Sequence, residues 1–382
     1  MTGTSSASTA VVAGALANKV GNGGEAWVRP TWTIGLERLG FDAWLVEEIA
    51  PGEAGLPDTA AVEWFRRVTD RFGLTERCAL VCGERCVVGP DLTELAEVLA
   101  GAALLINISG HLRRTDLPTP SAVRVFVDVD PGFTQIWADQ GRIDLGGHDR
   151  HVTVGATIGS GDSPLPDNGL DWITVLPPVL LDHWGSVPMP PEPPRFTTVG
   201  SWRPPHGAVE HDGTAYGIKA HEFRRHLDLP ARCPGVDLEL ALSIHEGDRA
   251  DRERLVDAGF SLVEPAAVAG TPTAFAEHVR GSWGEWSVAQ GVYVDGRTGW
   301  FSDRSAHYLA SGRPVVVQDT GTALPGGEGL LMFTDVAGAA AAIRDVVAEP
   351  ASHGCAAREL AQQHLGSDMV LGRLCDQIGV AP

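Results

Sequence analysis

A chain of 382 residues with 43% apolar content has enough length for two hydrophobic cores and too much apolar surface to stay disordered. Its formal net charge of −20 argues against nucleic-acid backbones and anionic membranes as partners, since these need broad basic surface. A small phosphorylated ligand remains within reach, because a helix N-terminus or a few local cations can hold one.

The opening MTGTSSASTA carries neither the basic nor the apolar region of a signal peptide, so residues 1–10 are expected to form a disordered tail on a cytoplasmic protein. No stretch reaches the ~18 apolar residues of a membrane span. Val11–Leu16 reads as a buried strand, followed by the loop KVGNGGEA and an amphipathic helix from Trp27 to Leu39, stopped by Gly40. Ala43–Val46, Ala79–Cys82, Leu104–Ile108 and Val123–Val127 read as further strands, with helices at Ala60–Phe72 and Leu92–Ala100. Such alternation predicts a parallel sheet with helices on both faces. Cys78, Cys82 and Cys86 lie four apart but lack the C-x2-C pairs of a zinc site, so they read as reduced, small apolar fillers.

Leu176–Pro194 is dense in proline, which fixes φ and removes donors, and it predicts an extended hinge between two domains. The alternation then restarts. Strands are expected at Phe196–Val199, Leu238–Ile244, Ser261–Val263, Trp286–Ala289, Val315–Gln318 and Leu330–Phe333. Helices are expected at Tyr216–His226, Arg252–Ala258, Thr273–Gly281, Asp303–Ala310, Val336–Val347, Ala356–His364 and Met369–Ile378. The expected fold class is α/β, with two tandem Rossmann-like domains facing a cleft. The first runs over 11–192 and includes the linker, the second over 193–365, and the helix in 366–382 packs back on the first.

Ligands of open α/β sheets sit at the carboxyl ends of strands, so the loops there hold the candidates. In Asn22-Gly23-Gly24-Glu25, glycines allow a backbone to approach a ligand and expose helix-start amides. In Asn107-Ile108-Ser109-Gly110-His111, followed by Arg113 and Arg114, the histidine is a candidate base. In Asp128-Val129-Asp130-Pro131-Gly132, Asp128 ends an apolar strand, where an unpaired carboxylate is costly, and Asp130 is either catalytic or a helix cap. In the segment 299–321, Ser302, Asp303, Arg304 and Ser305 open a helix, and a strand runs into Asp319-Thr320-Gly321. Hydroxyls, helix-start amides and a guanidinium together suit a diphosphate. Arg358, by contrast, has ordinary surface spacing in a terminal helix. Lysine occurs only at Lys19 and Lys219, which makes a lysine in a motif informative.

The fourth segment resembles glycosyltransferases of the GT-B fold, group-1 type, including the spore-maturation-like subset. The likeness rests on Ser302 and Arg304 leading into Ala310-Ser311-Gly312-Arg313-Pro314-Val315-Val316, on Asn22-Gly23-Gly24, and on Val199-Gly200-Ser201-Trp202 followed by Lys219. It implies a donor site of Ser201, Trp202, Lys219, Ser302, Arg304, Ser305, His307, Asp319, Thr320 and Gly321 in the second domain. It implies an acceptor side with Asn22, Gly23, Gly24 and the catalytic candidates Glu25, His111, Asp128 and Asp130 in the first. The chemistry implied uses neither metal nor bound cofactor: a nucleotide-diphosphate sugar is the substrate and a small molecule, as in natural-product biosynthesis, the acceptor. The paired glutamates of many retaining members fall here on Trp300 and His307, which departs from the pattern and puts their ribose contact in doubt. A nucleotide-sugar epimerase or hydrolase of the same fold is the alternative. A nicotinamide oxidoreductase is disfavoured by a loop that reads G-x-G-G.

Overall fold

The computed structural model describes residues 7–52, 55–114, 122–204 and 206–382. Residues 1–6 of the expected tail lie outside that set.

The first domain runs β1 (Thr9–Ala13), α1 (Glu25–Arg38), β2 (Asp42–Ile49), α2 (Thr59–Arg71), β3 (Cys78–Cys82), β4 (Arg85–Val88), α3 (Leu92–Gly101), β5 (Ala102–Ile108), β6 (Val123–Asp128), α4 (Phe133–Asp139), β7 (Arg150–Thr153) and β8 (Trp172–Thr174). β1 takes in Thr9 and Ala10, the end of the expected tail, because Thr9 pairs with both Asp42 and Ala102. The sheet order is β4-β3-β2-β1-β5-β6-β7-β8, and only the edge strand β4 is antiparallel. β1 and β3 are buried along nearly their whole length, which is why their sequences TAVVA and CALVC carry no alternation. α2 shows the opposite pattern: Asp58 caps it, and Ala61, Trp64, Phe65 and Val68 form one buried stripe.

The second domain runs β9 (Arg195–Ser201), β10 (Val209–His211), β11 (Thr214–Tyr216), α5 (Lys219–Arg225), α6 (Leu229–Arg232), β12 (Asp237–Ser243), α7 (Arg249–Asp257), β13 (Ser261–Leu262), α8 (Pro265–Ala269), α9 (Pro272–Arg280), β14 (Gly284–Ser287), α10 (Gly291–Asp295), α11 (Asp303–Ala310), β15 (Val315–Gln318), β16 (Leu330–Phe333), α12 (Val336–Ala348), α13 (Pro350–His364) and α14 (Ser367–Ile378). Its parallel sheet has the order β13-β12-β9-β14-β15-β16. The chain leaves β1 toward β3 and returns beside it as β5. It likewise leaves β9 toward β13 and returns beside it as β14. These two reversals are the crevices where a doubly wound sheet binds ligands, and they face each other.

The proline-rich linker is extended but tightly held. Val179 pairs with the backbone of Leu365 and Ser367, and Arg358 donates to the Leu181 and Trp184 carbonyls. Trp184 is fully buried against Trp27, Phe275 and His307. Arg358 is therefore a clamp on the linker, not the surface residue its spacing suggests. α14 packs on α1, where a Cβ on Gly35 would come within 2.5 Å of Leu371. Among the described residues no helix is long and apolar enough to cross a membrane.

Candidate active site

The glycine-rich loop after β1 makes a domain contact at its centre. The Gly23 amide donates to the Ala269 carbonyl at 2.7 Å, and a Cβ on Gly23 would lie 2.1 Å from the Thr271 carbonyl oxygen. Gly24 packs on Phe275, and the Asn22 side chain caps the Glu25 amide at 3.2 Å. The expectation that Asn22, Gly23 and Gly24 cradle a ligand is thus corrected: the close approach is to the second domain's backbone. The ends of the loop, Lys19 and Glu25, remain at the cleft.

Glu25 opens α1 and forms an ion pair with Arg29. Burial works to raise its carboxyl, but Arg29 and Lys19 outweigh burial and hold it below the usual range. His111 lies just past β5. Burial, then Arg29, Lys19 and Arg113, push its imidazole down to about 4, so it is neutral at pH 7.

Two aspartates at the end of β6 have different surroundings. Asp128 is fully buried and accepts from Thr134 Oγ1 at 2.6 Å, Thr153 Oγ1 at 2.8 Å, the Asp130 amide at 2.9 Å and Gln135 Nε2 at 3.0 Å. With both oxygens occupied, Asp128 holds the loop together and is removed from the catalytic candidates. Asp130 is not a helix cap. Its Oδ1 accepts the Tyr293 hydroxyl at 3.0 Å across the cleft. Burial and the nearby Glu25 raise its carboxyl above the usual range.

On the opposite face, Arg304 sits at the β9/β14 reversal. Its Nε donates to Glu285 Oε1 at 2.6 Å, Nη1 to the Val199 carbonyl at 2.9 Å and Nη2 to Ser287 Oγ at 2.9 Å. Glu285 is fully buried, and its other oxygen has no partner among the described residues. Lys219 opens α5, and a Cβ on Gly200 would lie 3.4 Å from its Nζ and 3.9 Å from Arg304 Nη1. Glycine at 200 therefore leaves both cations open to the cleft, and Ser201 beside it is exposed. Burial, then Arg304, lower Lys219 to about 7. Asp303 is raised by burial and by Glu25 across the cleft.

Ser302 caps α11 by accepting from the Arg304 amide at 3.2 Å. A cavity beside it is lined by Ser287, Ala289, Phe301, Ser302, Ser305 and Thr320. Ser305 Oγ is buried and has no partner among the described residues. Thr320 donates to the Trp300 carbonyl at 2.5 Å, and Asp319 Oδ1 accepts from the Gly321 amide at 2.8 Å. Asp319-Thr320-Gly321 is thus a turn that shapes the cavity wall.

Two further expectations are overturned. Trp202 is 1% exposed and stacks on Phe223 in the second core, so it cannot face a donor. His307 is 2% exposed and stacks on Trp184 at 4.4 Å; burial lowers its imidazole to about 3. Lys19, Arg29, Glu285 and Tyr293 also stand at the cleft and were not among the candidates read from the sequence. Only the rarity of lysine pointed to the first.

No family model and no curated protein matches the chain. Among solved structures, sucrose-phosphate synthase from Thermosynechococcus elongatus has a TM-score of 0.57 at 14% identity, covering 97% of this chain and 99% of that one. HepE from Anabaena, in complex with UDP and glucose, has a TM-score of 0.57 at 10% identity over 97% and 99%. An alpha-glucosyltransferase in complex with UDP and a 13-mer DNA has a TM-score of 0.55 at 12% identity over 97% and 100%. The chain has the two-domain GT-B architecture along essentially its whole length.

Proposed function

We propose that the protein transfers a sugar from a nucleotide-diphosphate donor, held by the second domain, to an acceptor hydroxyl presented by the first. The observation that carries this reading is the meeting of Lys219 and Arg304 over Gly200 at one sheet reversal, with Asp130, from the end of β6 in the other domain, close enough to act on Lys219. The neighbours named with UDP support it.

The donor diphosphate would lie against Lys219, the remaining N–H groups of Arg304 and the start of α11. As the bond to the leaving phosphate breaks, negative charge grows there. Cations whose positions are already fixed stabilise that charge without reorganising. Arg304 is fixed by its three hydrogen bonds. On the acceptor side, Asp130 is the better proton acceptor and His111 the better orienting group. Burial and Glu25 favour a proton on Asp130, whereas burial and three cations disfavour one on His111. Domain contacts at Gly23–Thr271 and Gly155–Thr298 flank the cleft and would exclude water during transfer.

The test is a thermal-shift titration with UDP, TDP and GDP at millimolar concentration. A ligand at about 100 times its Kd adds about 2.7 kcal/mol to folding stability and must raise Tm. Lys219→Ala should remove most of that shift. Arg304→Ala is a poorer probe, because it leaves Glu285 buried and unpaired, which alone costs about 3–5 kcal/mol. No shift with any of the three nucleotides rejects the reading.

A further inference from the structure

Asp130 meets the second domain through one direct bond. Tyr293, in α10, donates its hydroxyl to Asp130 Oδ1 at 3.0 Å, and among the described residues Oδ2 has no partner. The Asp130 amide donates to Asp128 Oδ1 at 2.9 Å, which fixes the backbone under the carboxylate. The residue is walled in by both domains yet still reached by solvent.

The junction is built around this bond. Tyr293 is 4% exposed, with its ring 4.5 Å from Trp300 and edge-on to Phe133 of the first domain at 5.8 Å. The first domain also grips the turn that follows. The Thr157 amide donates to the Thr298 carbonyl at 3.3 Å, and Ser163 Oγ to the Gly296 carbonyl at 2.7 Å. A Cβ on Gly132 would come within 2.9 Å of Val292, so the loop after β6 lies directly on α10. At the start of α10, Gln290 Oε1 accepts the Lys219 amide at 2.7 Å. One short segment therefore holds Lys219 at one end and Asp130 at the other.

Apolar packing accounts for the Tyr293 ring, and a phenylalanine would fill the same space. The hydroxyl is what remains to be explained. Burial, then Glu25, oppose charge on Asp130, and the bond from Tyr293 leads the groups that favour it, ahead of Lys19 and His206. A carboxylate base needs one oxygen free and a fixed orientation. Here Oδ2 is free and the bond to Oδ1 fixes the rest.

We propose that Tyr293 is a positioning residue for the reaction: from the second domain it fixes Asp130 through Oδ1 and leaves Oδ2 to take the acceptor's proton. In that step the acceptor O–H proton passes to Oδ2, the acceptor oxygen bonds the anomeric carbon, and the electrons of the broken C–O bond leave with the nucleotide diphosphate. The role in the reaction rests on the transferase reading; the bond between the two residues does not.

The chain has three tyrosines, Tyr216, Tyr293 and Tyr308, so protein labelled with carbon-13 at the tyrosine Cζ gives three resonances. The one lost in Tyr293→Phe is assigned to Tyr293. Titrated from pH 8 to pH 4, it should move with the ionisation of Asp130, and that movement should be lost in Asp130→Asn. Glu25, Lys19, Asp128, His206, Lys219 and Asp303 are the other charged groups around the pair. All remain in Asp130→Asn, which separates their titration from that of Asp130. The second readout is release of UDP from UDP-glucose with water as acceptor. A hydrogen bond to the charged form favours it, so Tyr293→Phe should move the acid limb of kcat/KM up by about one pH unit and keep most of the rate above it. A fall in rate that is equal at every pH, or a Tyr293 resonance that titrates identically in Asp130→Asn, overturns the proposal. If wild type releases no UDP, the resonance alone decides. Failure to bind UDP as well brings down the transferase reading instead.

Discussion

The two faces of the cleft manage buried charge in different ways. On the second domain's face, the Arg304–Glu285 pair is locked to β9 and β14 by hydrogen bonds of 2.6–2.9 Å. On the first domain's face, Lys19, Glu25, Arg29, His111 and Asp130 influence one another largely across space, with Arg29–Glu25 and Tyr293–Asp130 the direct bonds. A locked pair keeps one protonation state and one geometry, as charge stabilisation requires. A loosely offset cluster can change protonation as a substrate arrives, as proton transfer requires. Asp128 and Asp130 repeat the contrast within three residues.

The largest effects should come from separating those two aspartates. Asp130→Asn should lower turnover about 10²–10⁴-fold, the usual worth of a general base, with UDP affinity retained because the proposed donor site belongs to the other domain. Its Tm should barely move, since an amide can still accept the Tyr293 hydroxyl. Asp128→Ala should do the reverse. It strands three buried donors at about 1–3 kcal/mol each, and the part-buried Asp130 amide besides, so Tm should fall by many degrees. Measuring Tm and turnover on both variants tests this, and an Asp130→Asn enzyme with full activity would remove that residue from the chemistry.

A smaller effect should appear in pH. Lys219 stands at about 7 in the nucleotide-free protein, lowered by burial and then by Arg304, with Glu285, Asp303 and Asp130 pulling the other way. A bound diphosphate adds negative charge and raises it. The sign follows: below pH 7 the ammonium is already formed and affinity is flat. Above pH 7 binding must take up a proton, so affinity falls, by at most about tenfold per unit. UDP-glucose is the right probe, since its phosphates do not titrate in this range. Lys219→Arg should flatten the curve, and a wild-type affinity constant from pH 6 to 9 would show that this lysine does not meet the phosphates.

Long apolar elements were legible because their own residues dictate them. β1, β3 and β5 could only be buried strands, and α11 announced its start with Ser302 and its end with Gly312. β4, β7, β8 and α4 were missed because each has only three to seven residues, too few to show a period. The β10–β11 hairpin was also missed, although its turn holds Asp212-Gly213, both at positive φ, a pair that marks such turns. At the cleft, His111 and Asp130 were picked out by strand ends, Ser302 and Arg304 by a helix start, and Lys219 by the resemblance and the rarity of lysine. Gly23 was misread because the backbone it admits belongs to Thr271, far along the chain. Trp202 was misread because a strand end says where a residue lies, not whether its ring turns inward to Phe223.

His307 gives the smallest and sharpest test. The glycosyltransferase pattern that this segment resembles has a ribose-binding carboxylate at its position, yet here the ring lies against Trp184 at 4.4 Å and near Trp27 and Phe275. Its Nδ1 is buried without a partner, so the imidazole serves as an apolar plate. Replacing a buried polar group that makes no bond by an apolar one of similar size is nearly neutral, because no partner is stranded. His307→Leu should therefore change stability by less than about 1.5 kcal/mol and leave UDP affinity untouched. Ser305→Val, one helical position pair earlier, should instead weaken UDP, since its unpartnered hydroxyl lines the cavity. A His307→Leu protein that folds normally but loses UDP would mean that the ring leaves Trp184 when nucleotide binds, and that the donor face is less rigid than its hydrogen bonds suggest.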